Sequence, residues 1–382
     1  MANFGKLIGN PFLALIDANG TNTEKEKCAF VVRDYFVPNG YKAYLLSTYF
    51  PEEYAKNLAE YCPNASVLYN IPNITQFGNY DIVDVDKNGN GRIVYQDCSE
   101  DNVLFITNKC NSNCIMCPDS DTLRKADLGF RKDYLAQLID LIPSDTRHLT
   151  ITGGEPTLLK WDLIDILRMC RERFPHTIFL MLSNGRSLAD DKYRSAFLET
   201  IPDNFSLAIP LYGTSSEEHD QITRATGSFK QTIYAIKSLA QKLSIEIRIV
   251  VMQKTLQRLP QIARFLVSEL PHVHSVSIMG MELMGNAAVN RTDLWVDFQE
   301  TIPYIEEAVQ ILFHGGIETR IYNYPLCLLP RSLWSIAAKS ISGYKVRYLE
   351  DCNKCTVKNL CGGFFFSTLH LADIKVKPFS EE

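Results

Sequence analysis

The sequence has little of the positive charge that nucleic-acid-binding proteins carry, and it has no long hydrophobic run. Its 382 residues include 39 Lys and Arg against 44 Asp and Glu, which gives a net charge of −5. A broad nucleic-acid interface needs a basic stripe, so we expect no nucleic-acid partner. Because no apolar run approaches membrane-spanning length, we expect no membrane association.

The pattern of a secretory signal is also missing. Residues 1–17 contain one basic residue and a short apolar run that Gly9-Asn10-Pro11 interrupts, which makes a poor signal. The chain nevertheless contains 11 cysteines. Without an export signal, so many cysteines indicate metal binding or catalysis in a reducing compartment rather than disulfides. We therefore expect a cytoplasmic protein.

Three cysteines form a compact group directly after a strand-like run. Residues 103–107 are mostly apolar, and Cys110, Cys114 and Cys117 follow them with the spacing C-x3-C-x2-C. A loop this tight can turn three thiolates toward one point. Thiolates suit iron–sulfur clusters, which normally take four of them. A cubane cluster held by only three would keep one iron open for another ligand.

Residues 1–100 are expected to form a small β-rich N-terminal domain. Residues 81–85 and 92–95 predict a hairpin around the turn at Asp86–Gly91. This turn also imitates a calcium-binding loop, but its twelfth position lacks the bidentate Glu and its flanks have strand patterns. The hairpin is therefore the favoured interpretation.

Residues 101–290 alternate between strand and amphipathic helix patterns. The six strand candidates are 102–107, 147–152, 177–183, 205–211, 245–252 and 273–280. Six β–α units predict a parallel sheet covered by helices, two units short of a closed eight-stranded barrel. In parallel α/β sheets ligands gather at the carboxyl ends of the strands, and the cysteine triplet lies there.

Other strand ends carry polar or glycine-rich residues. In Thr152–Pro156, paired glycines would bring a ligand close to the backbone and expose amides, and Glu155 would accept a hydrogen bond from an ammonium group. A plain turn is the alternative. Ser183-Asn184-Gly185 could hold a ribose hydroxyl or a carboxylate, or simply start a helix. Arg224 could clamp a carboxylate or be a solvated surface residue.

Residues 291–382 are expected to form a C-terminal helix followed by a second cysteine-rich domain. Its four cysteines are Cys327, Cys352, Cys355 and Cys361. Four thiolates suit either a structural zinc ion or a fully ligated iron–sulfur cluster.

The C-x3-C-x2-C loop, the Gly-Gly-Glu-Pro segment and the six β–α units together resemble the radical S-adenosylmethionine (SAM) superfamily. The resemblance implies an α/β fold with a partial (β/α)6 TIM-like barrel and a [4Fe–4S] cluster on Cys110, Cys114 and Cys117. It also implies that SAM binds the open iron and is cleaved reductively to a 5′-deoxyadenosyl radical, which takes hydrogen from the substrate.

The resemblance further implies which residues contact SAM. Members often carry an aromatic residue near the adenine at the position of Met116, and the methionine amino end meets Gly153, Gly154 and Glu155. The ribose and carboxylate contacts correspond to Ser183, Asn184 and Arg224. The C-terminal cysteines resemble the auxiliary-cluster extension of the twitch or SPASM type, which implies a second [4Fe–4S] cluster, with zinc as the alternative. No catalytic acid, base or hydrogen donor can be named.

A narrower resemblance covers residues 102–114, 279–282, 321–327 and 361–365. These segments are similar to the His-Xaa-Ser system radical SAM maturases of the HxsC type. That family implies a ribosomally made precursor peptide, possibly with His-Xaa-Ser repeats, and a second radical SAM maturase as partners. A radical enzyme also needs an electron donor such as flavodoxin or ferredoxin. Two alternatives remain open, namely a radical enzyme acting on a small metabolite or nucleotide, and a non-catalytic iron–sulfur or zinc module.

Overall fold

The computed structural model describes residues 2–126 and 131–379 and contains two large β-sheets. The first is an eight-stranded mixed sheet in the order β1-β8-β7-β3-β4-β5-β6-β2. Its strands are β1 (Ala2–Asn3), β2 (Lys6–Ile8), β3 (Phe12–Asp17), β4 (Cys28–Val31), β5 (Ala43–Ser47), β6 (Ser66–Ile71), β7 (Ile82–Val85) and β8 (Asn90–Tyr95). Helix α1 (Glu52–Tyr61) connects β5 to β6.

The predicted hairpin between β7 and β8 is confirmed. The two strands pair antiparallel, and the Asp86 carboxylate accepts hydrogen bonds from the backbone N–H groups of Asn88 and Asn90, both through Oδ1, at 2.8 and 2.9 Å. These bonds satisfy the turn internally, as an Asx turn does.

The second sheet has eight parallel strands, of which β9 and β16 form the edges. Its strands are β9 (Val103–Phe105), β10 (His148–Thr152), β11 (Ile178–Leu182), β12 (Phe205–Pro210), β13 (Ser244–Val251), β14 (Ser275–Gly280), β15 (Glu318–Tyr322) and β16 (Ala337–Ala338). The sheet curls into an open half-barrel. The six predicted strands are confirmed, but the expected count of six was wrong because β15 and β16 extend the sheet.

Helices accompany this sheet in the described part of the chain, and most of them contribute buried side chains to the core on one of its faces. They are α2 (Asp121–Lys125), α3 (Lys132–Leu141), α4 (Trp161–Arg173), α5 (Asp191–Thr200), α6 (Ser216–Thr223), α7 (Ser228–Leu239), α8 (Leu259–Glu269), α9 (Asn286–Val289), α10 (Arg291–Leu294) and α11 (Phe298–His314). In the C-terminal region a two-residue pair, β17 (Val346–Arg347) and β18 (Phe364–Phe365), precedes α12 (Phe366–Leu369). None of the helices in the described part of the chain is long and apolar enough to cross a membrane.

Strand β13 illustrates how alternation separates the two faces of the half-barrel. Ile245, Ile247 and Ile249 are fully buried in the core that the helices cover. The intervening residues Glu246 and Arg248 point to the opposite face, because successive side chains of a strand alternate. We call this opposite side the concave face.

One hydrophobic core joins the two sheets. Leu13 and Tyr44 of the N-terminal sheet belong to the same buried cluster as Leu104 on β9 and Leu135 on α3. A buried hydrogen bond of 2.8 Å between the Tyr95 and Thr146 hydroxyls adds a polar contact. The N-terminal sheet is therefore packed against the start of the parallel sheet, beside the cysteine loop.

Candidate active site

The cysteine loop lies at the carboxyl ends of the parallel strands, after β9. Cys110, Cys114 and Cys117 are free thiols and each is partly exposed. The pKa of Cys110 is raised to about 11 and that of Cys114 to about 12, mainly by burial, and the neighbouring Cys117 thiol contributes in the same direction. Without metal the thiols are therefore protonated at neutral pH, and cluster binding must release their protons.

Neighbouring elements hold the loop through its backbone. The N–H groups of Asn113 and Ile115 donate to the carbonyls of Thr223 and Ile222, both at 3.0 Å, at the end of α6. From α9, the Asn286 side chain donates to the Cys114 carbonyl at 3.1 Å. These bonds anchor residues 113–115, which form the middle of the cysteine loop.

Arg124 on α2 is a further part of the site, and the sequence pattern did not single it out. Its guanidinium has a side-chain exposure of only 9% and donates to Asn113 Oδ1 at 2.6 Å and to Asp121 Oδ1 at 3.1 Å. Its positive charge lowers the pKa of Cys110 and Cys117 against the larger effect of burial. Arg124 therefore supplies positive charge where thiolates must form.

Across residues 2–126 and 131–379, no three His, Cys, Asp or Glu side chains converge closely enough to share one metal ion. A cubane cluster differs from a single ion, since each of its thiolate ligands binds a separate iron. The donor chemistry of three free cysteines on one short, braced loop fits such a cluster.

The Gly-Gly-Glu-Pro segment contacts the chain that leads into the cysteine loop. The Gly154 N–H donates to the Thr107 carbonyl at 2.6 Å, and the Glu155 N–H donates to the Lys109 carbonyl at 2.8 Å. A Cβ at Gly153 would lie 2.2 Å from the Thr107 oxygen, and one at Gly154 would lie 2.3 Å from the Lys109 oxygen. The amides of Gly154 and Glu155 are therefore bonded within the protein, and the expected contact of this segment with a ligand stays a prediction.

The Glu155 side chain is fully buried. Its carboxyl group accepts hydrogen bonds from the Thr157 N–H and hydroxyl at 3.0 and 2.5 Å, the Ser183 hydroxyl at 2.7 Å and the Asn184 N–H at 2.6 Å. Burial raises the pKa of Glu155. Its oxygens join the ends of β10 and β11, and the expected contact with an ammonium group stays a prediction.

Ser183 and Asn184 continue this connection toward the cysteines. The Ser183 hydroxyl also accepts from the Gly185 N–H at 3.0 Å, and the Asn184 side chain donates to Asn111 Oδ1 at 2.7 Å. Arg186, which the sequence pattern did not single out, donates to the Asn111 carbonyl and to the Ser112 hydroxyl. The end of β11 is thus hydrogen-bonded directly to the cysteine loop.

Met116 is 5% exposed and belongs to a small apolar cluster that packs against Cys114 and Ile115 of the cysteine loop. Its partners Tyr212, Met252 and Met281 follow β12, β13 and β14 respectively. Met116 therefore lies where these three strands end, which is compatible with the expected position near an adenine.

Arg224 directly follows Thr223, whose carbonyl accepts a hydrogen bond from the Asn113 N–H of the cysteine loop. It ends α6 in a left-handed conformation, with φ of 51°, and its side chain is exposed. It lines a cleft together with Lys254 and with Ile115 of the cysteine loop.

The four C-terminal cysteines Cys327, Cys352, Cys355 and Cys361 line one cavity. The Cys361 sulfur accepts hydrogen bonds from the N–H groups of Leu326 and Gly363, both at 3.4 Å. Burial, followed by the charges of the other three thiols, raises the pKa of Cys327 to about 12. The structure thus brings together four residues that are up to 34 positions apart in the sequence.

Residues 104–266 match the family model of the Radical SAM superfamily. Among solved structures, SuiB from Streptococcus suis is similar, with a TM-score of 0.45 and 14% identity over 59% of this chain and 49% of that chain. Native anSMEcpe with bound AdoMet and the Kp18Cys peptide has a TM-score of 0.46 and 14% identity over 57% and 62%. A radical SAM methyltransferase from Sphaerobacter thermophilus has a TM-score of 0.40 and 14% identity over 72% and 83%.

The chain therefore covers less than two thirds of the length of the first two structures. No curated protein matches it.

We predict that Gly154→Ala displaces the cysteine loop, since the added Cβ would collide with the Lys109 carbonyl. The free energy of unfolding of the metal-free protein should fall by about 1–3 kcal/mol, and anaerobic reconstitution should retain less iron per chain. Gly343→Ala is the matched control, because a Cβ there meets nothing within 4 Å. Unchanged stability and iron content in Gly154→Ala would contradict the proposed contact.

We predict that Glu155→Gln destabilises the protein. Each carboxyl oxygen accepts from a backbone N–H, but an amide has only one oxygen, so one buried N–H loses its acceptor at a cost of about 1–3 kcal/mol. Urea unfolding measures the loss, and the exposed residue Glu199 on α5 provides the control Glu199→Gln. Equal stability of the two variants would show that the buried bonds do not matter.

Proposed function

Since residues 104–266 form a radical SAM domain, we propose that the chain is a radical SAM enzyme that modifies a ribosomally made peptide. The membership supports the coarser part, an enzyme that uses a [4Fe–4S] cluster and SAM. The observation that carries it is the placement of three free cysteines on one braced loop at the strand ends.

Cys110, Cys114 and Cys117 would hold the cluster, and SAM would bind at the iron that they leave open. When bound, the two groups supply one-electron chemistry that removes hydrogen from an unactivated C–H bond. The residues of the chain position these groups and exclude water. The apolar cluster around Met116 packs against the cysteine loop. The Glu155 carboxyl group holds the ends of β10 and β11 together beside it.

The free edge of β9 supports a peptide as the substrate. Strand β9 pairs only with β10 in the described part of the chain, and Val103 and Phe105 are 38% and 44% exposed. A groove of about 630 Å³ lies beside this edge and is lined by Phe12, Arg131 and Tyr134 among others. An extended peptide can add to such an edge through its main chain.

The resemblance to the HxsC-type maturases supports the narrower part of the proposal. It suggests a precursor peptide, possibly with His-Xaa-Ser repeats, and a second radical SAM maturase that acts on the same peptide. The electron that the chemistry requires would come from a carrier such as flavodoxin or ferredoxin.

We further propose that the C-terminal cysteines hold an auxiliary [4Fe–4S] cluster rather than zinc. The two amide-to-sulfur hydrogen bonds to Cys361 favour a metal-bound thiolate at this position. The resemblance of the cysteine set to the auxiliary-cluster extension supports iron–sulfur over zinc.

Metal analysis tests this assignment. The reconstituted wild type should contain about eight irons per chain, four for each [4Fe–4S] cluster. The double variant Cys352→Ala/Cys355→Ala should contain about four, and the exposed Cys98 provides the control Cys98→Ala. One zinc ion per chain that disappears in the double variant would instead establish the zinc site.

Anaerobic co-expression with a peptide encoded by a neighbouring gene tests the function. We expect mass spectrometry to detect a mass change in the peptide that requires Cys110, Cys114 and Cys117. Cleavage of SAM without any change in the peptide would contradict the peptide substrate, and intact SAM after reduction would favour a non-catalytic module.

A further inference from the structure

A charged cluster occupies the concave face of β13, β14 and β15, outside the site described above. The strand registers place its residues in two neighbouring rows, which are Glu246, Ser275 and Glu318, and Arg248, Ser277 and Arg320. Each arginine thus lies two residues beyond a glutamate on the same strand, and the small serines of β14 separate the two pairs.

Both arginines bind a glutamate through the same edge of the guanidinium group, which carries Nε and Nη2. Arg248 donates from Nε to Glu246 Oε1 at 2.8 Å and from Nη2 to Oε2 at 3.5 Å. Arg320 donates from Nε and Nη2 to Glu318 Oε1 at 2.9 and 2.7 Å. Neither Nη1 has a hydrogen-bond partner within the residues that the structure describes. A guanidinium has five N–H donors, so each keeps an outer edge for a ligand.

Arg248 reaches across β14 toward the second pair. Strands β13 and β15 are separated by β14 and therefore lie two strand spacings, or about 9.6 Å, apart. The Arg248 Cζ nevertheless lies only 5.9 Å from the centre of the Tyr322 ring on β15. Ser277 between them is only 1% exposed. The carboxylate of Glu318 and, from further away, that of Glu246 raise the pKa of Arg320. The two ion pairs therefore form one electrostatic cluster.

Stability alone gives a weak reason for this cluster. The side chains of Arg248 and Glu246 are only 20% and 14% exposed, and removing charges from water costs about as much as an ion pair returns. Those of Arg320 and Glu318 are 56% and 48% exposed, and an ion pair in water contributes little to stability. If this face only packed against other residues, apolar side chains would stabilise it at least as well. A carboxylate that holds one edge of an arginine orients the other edge, which is the arrangement for binding a second carboxylate.

We propose that Arg248 and Arg320 bind a carboxylate group of the substrate on the concave face, a proposal that rests on the enzymatic function above. The next row toward the strand ends contains Val250, Met279 and Tyr322, and Val250 packs against the Met116 cluster. One row corresponds to two residues, or about 7 Å along a strand. A substrate anchored at Arg248 therefore extends toward the cysteine loop, and Glu246 and Glu318 act as positioning residues.

Glutarate is the probe, and its neutral isostere glutaramide is the reference. Saturation-transfer NMR on the reconstituted wild-type protein should detect binding of glutarate but not of glutaramide. Arg248→Gln and Arg320→Gln should each weaken glutarate binding by about tenfold or more, since a charge-assisted bidentate contact is lost. Arg248→Lys should fall between the wild type and Arg248→Gln, because it keeps the charge without the planar fork.

Glu246→Gln separates ligand binding from a structural role. The amide oxygen that Glu246→Gln introduces can still accept from Arg248 Nε and orient the guanidinium. Because the negative charge that repels a second carboxylate is gone, glutarate should bind more tightly even if the melting temperature falls. The control is Arg264→Gln, because Arg264 forms an ion pair of 2.6 Å with Glu307 on the outer helices α8 and α11. It should bind glutarate as the wild type does.

The outcomes distinguish this proposal from the peptide function. If glutarate does not bind the wild type, or binds Arg248→Gln equally well, the carboxylate site is wrong even if the peptide is modified. If glutarate binds with the expected pattern while the neighbouring peptide stays unmodified, the carboxylate site stands and the peptide function fails. Weaker binding in Glu246→Gln would also overturn the proposal, since it would make the pair purely structural.

Discussion

The site depends on one close backbone contact between two neighbouring strand ends. Gly153 and Gly154 approach the carbonyls of Thr107 and Lys109 so closely that no side chain fits between them. Two hydrogen bonds from the Gly154 and Glu155 amides close this contact. It fixes the direction in which the chain leaves β9, and that direction decides where Cys110 and the two later thiols lie.

The buried carboxyl group of Glu155 extends this contact to the next strand. A carboxyl group without water requires several donors, and here Thr157, Ser183 and Asn184 supply them. Asn184 in turn is bonded to Asn111 in the cysteine loop. Three consecutive strand ends thus share one hydrogen-bond network, and the loop is held before any metal binds. Preorganisation of this kind lowers the cost of binding a large cofactor.

The sequence predicted the six alternating strands of the half-barrel because their apolar runs and the intervening helical patterns are strong. It did not predict β15, where Glu318 and Arg320 alternate with buried residues and leave no apolar run. The cysteine spacing and the Gly-Gly-Glu-Pro segment located the site. The role of Glu155 could not be predicted, because its partner Ser183 lies 28 residues away. The same holds for Asn286, whose side chain bonds Asn113 across 173 residues.

The pairing of β14 with β15 limits where the chain could be cut to exchange one segment for another. The family model ends at residue 266, but the hydrogen-bonded sheet continues through β15 and β16 to Ala338. The segment that matches the family model is therefore shorter than the hydrogen-bonded sheet of which it is a part. Exchange of residues 104–266 alone would separate β13 from β14, with which it pairs along most of its length. A chimera that replaces the C-terminal cysteines and keeps this sheet intact would therefore have to retain β14, β15 and β16.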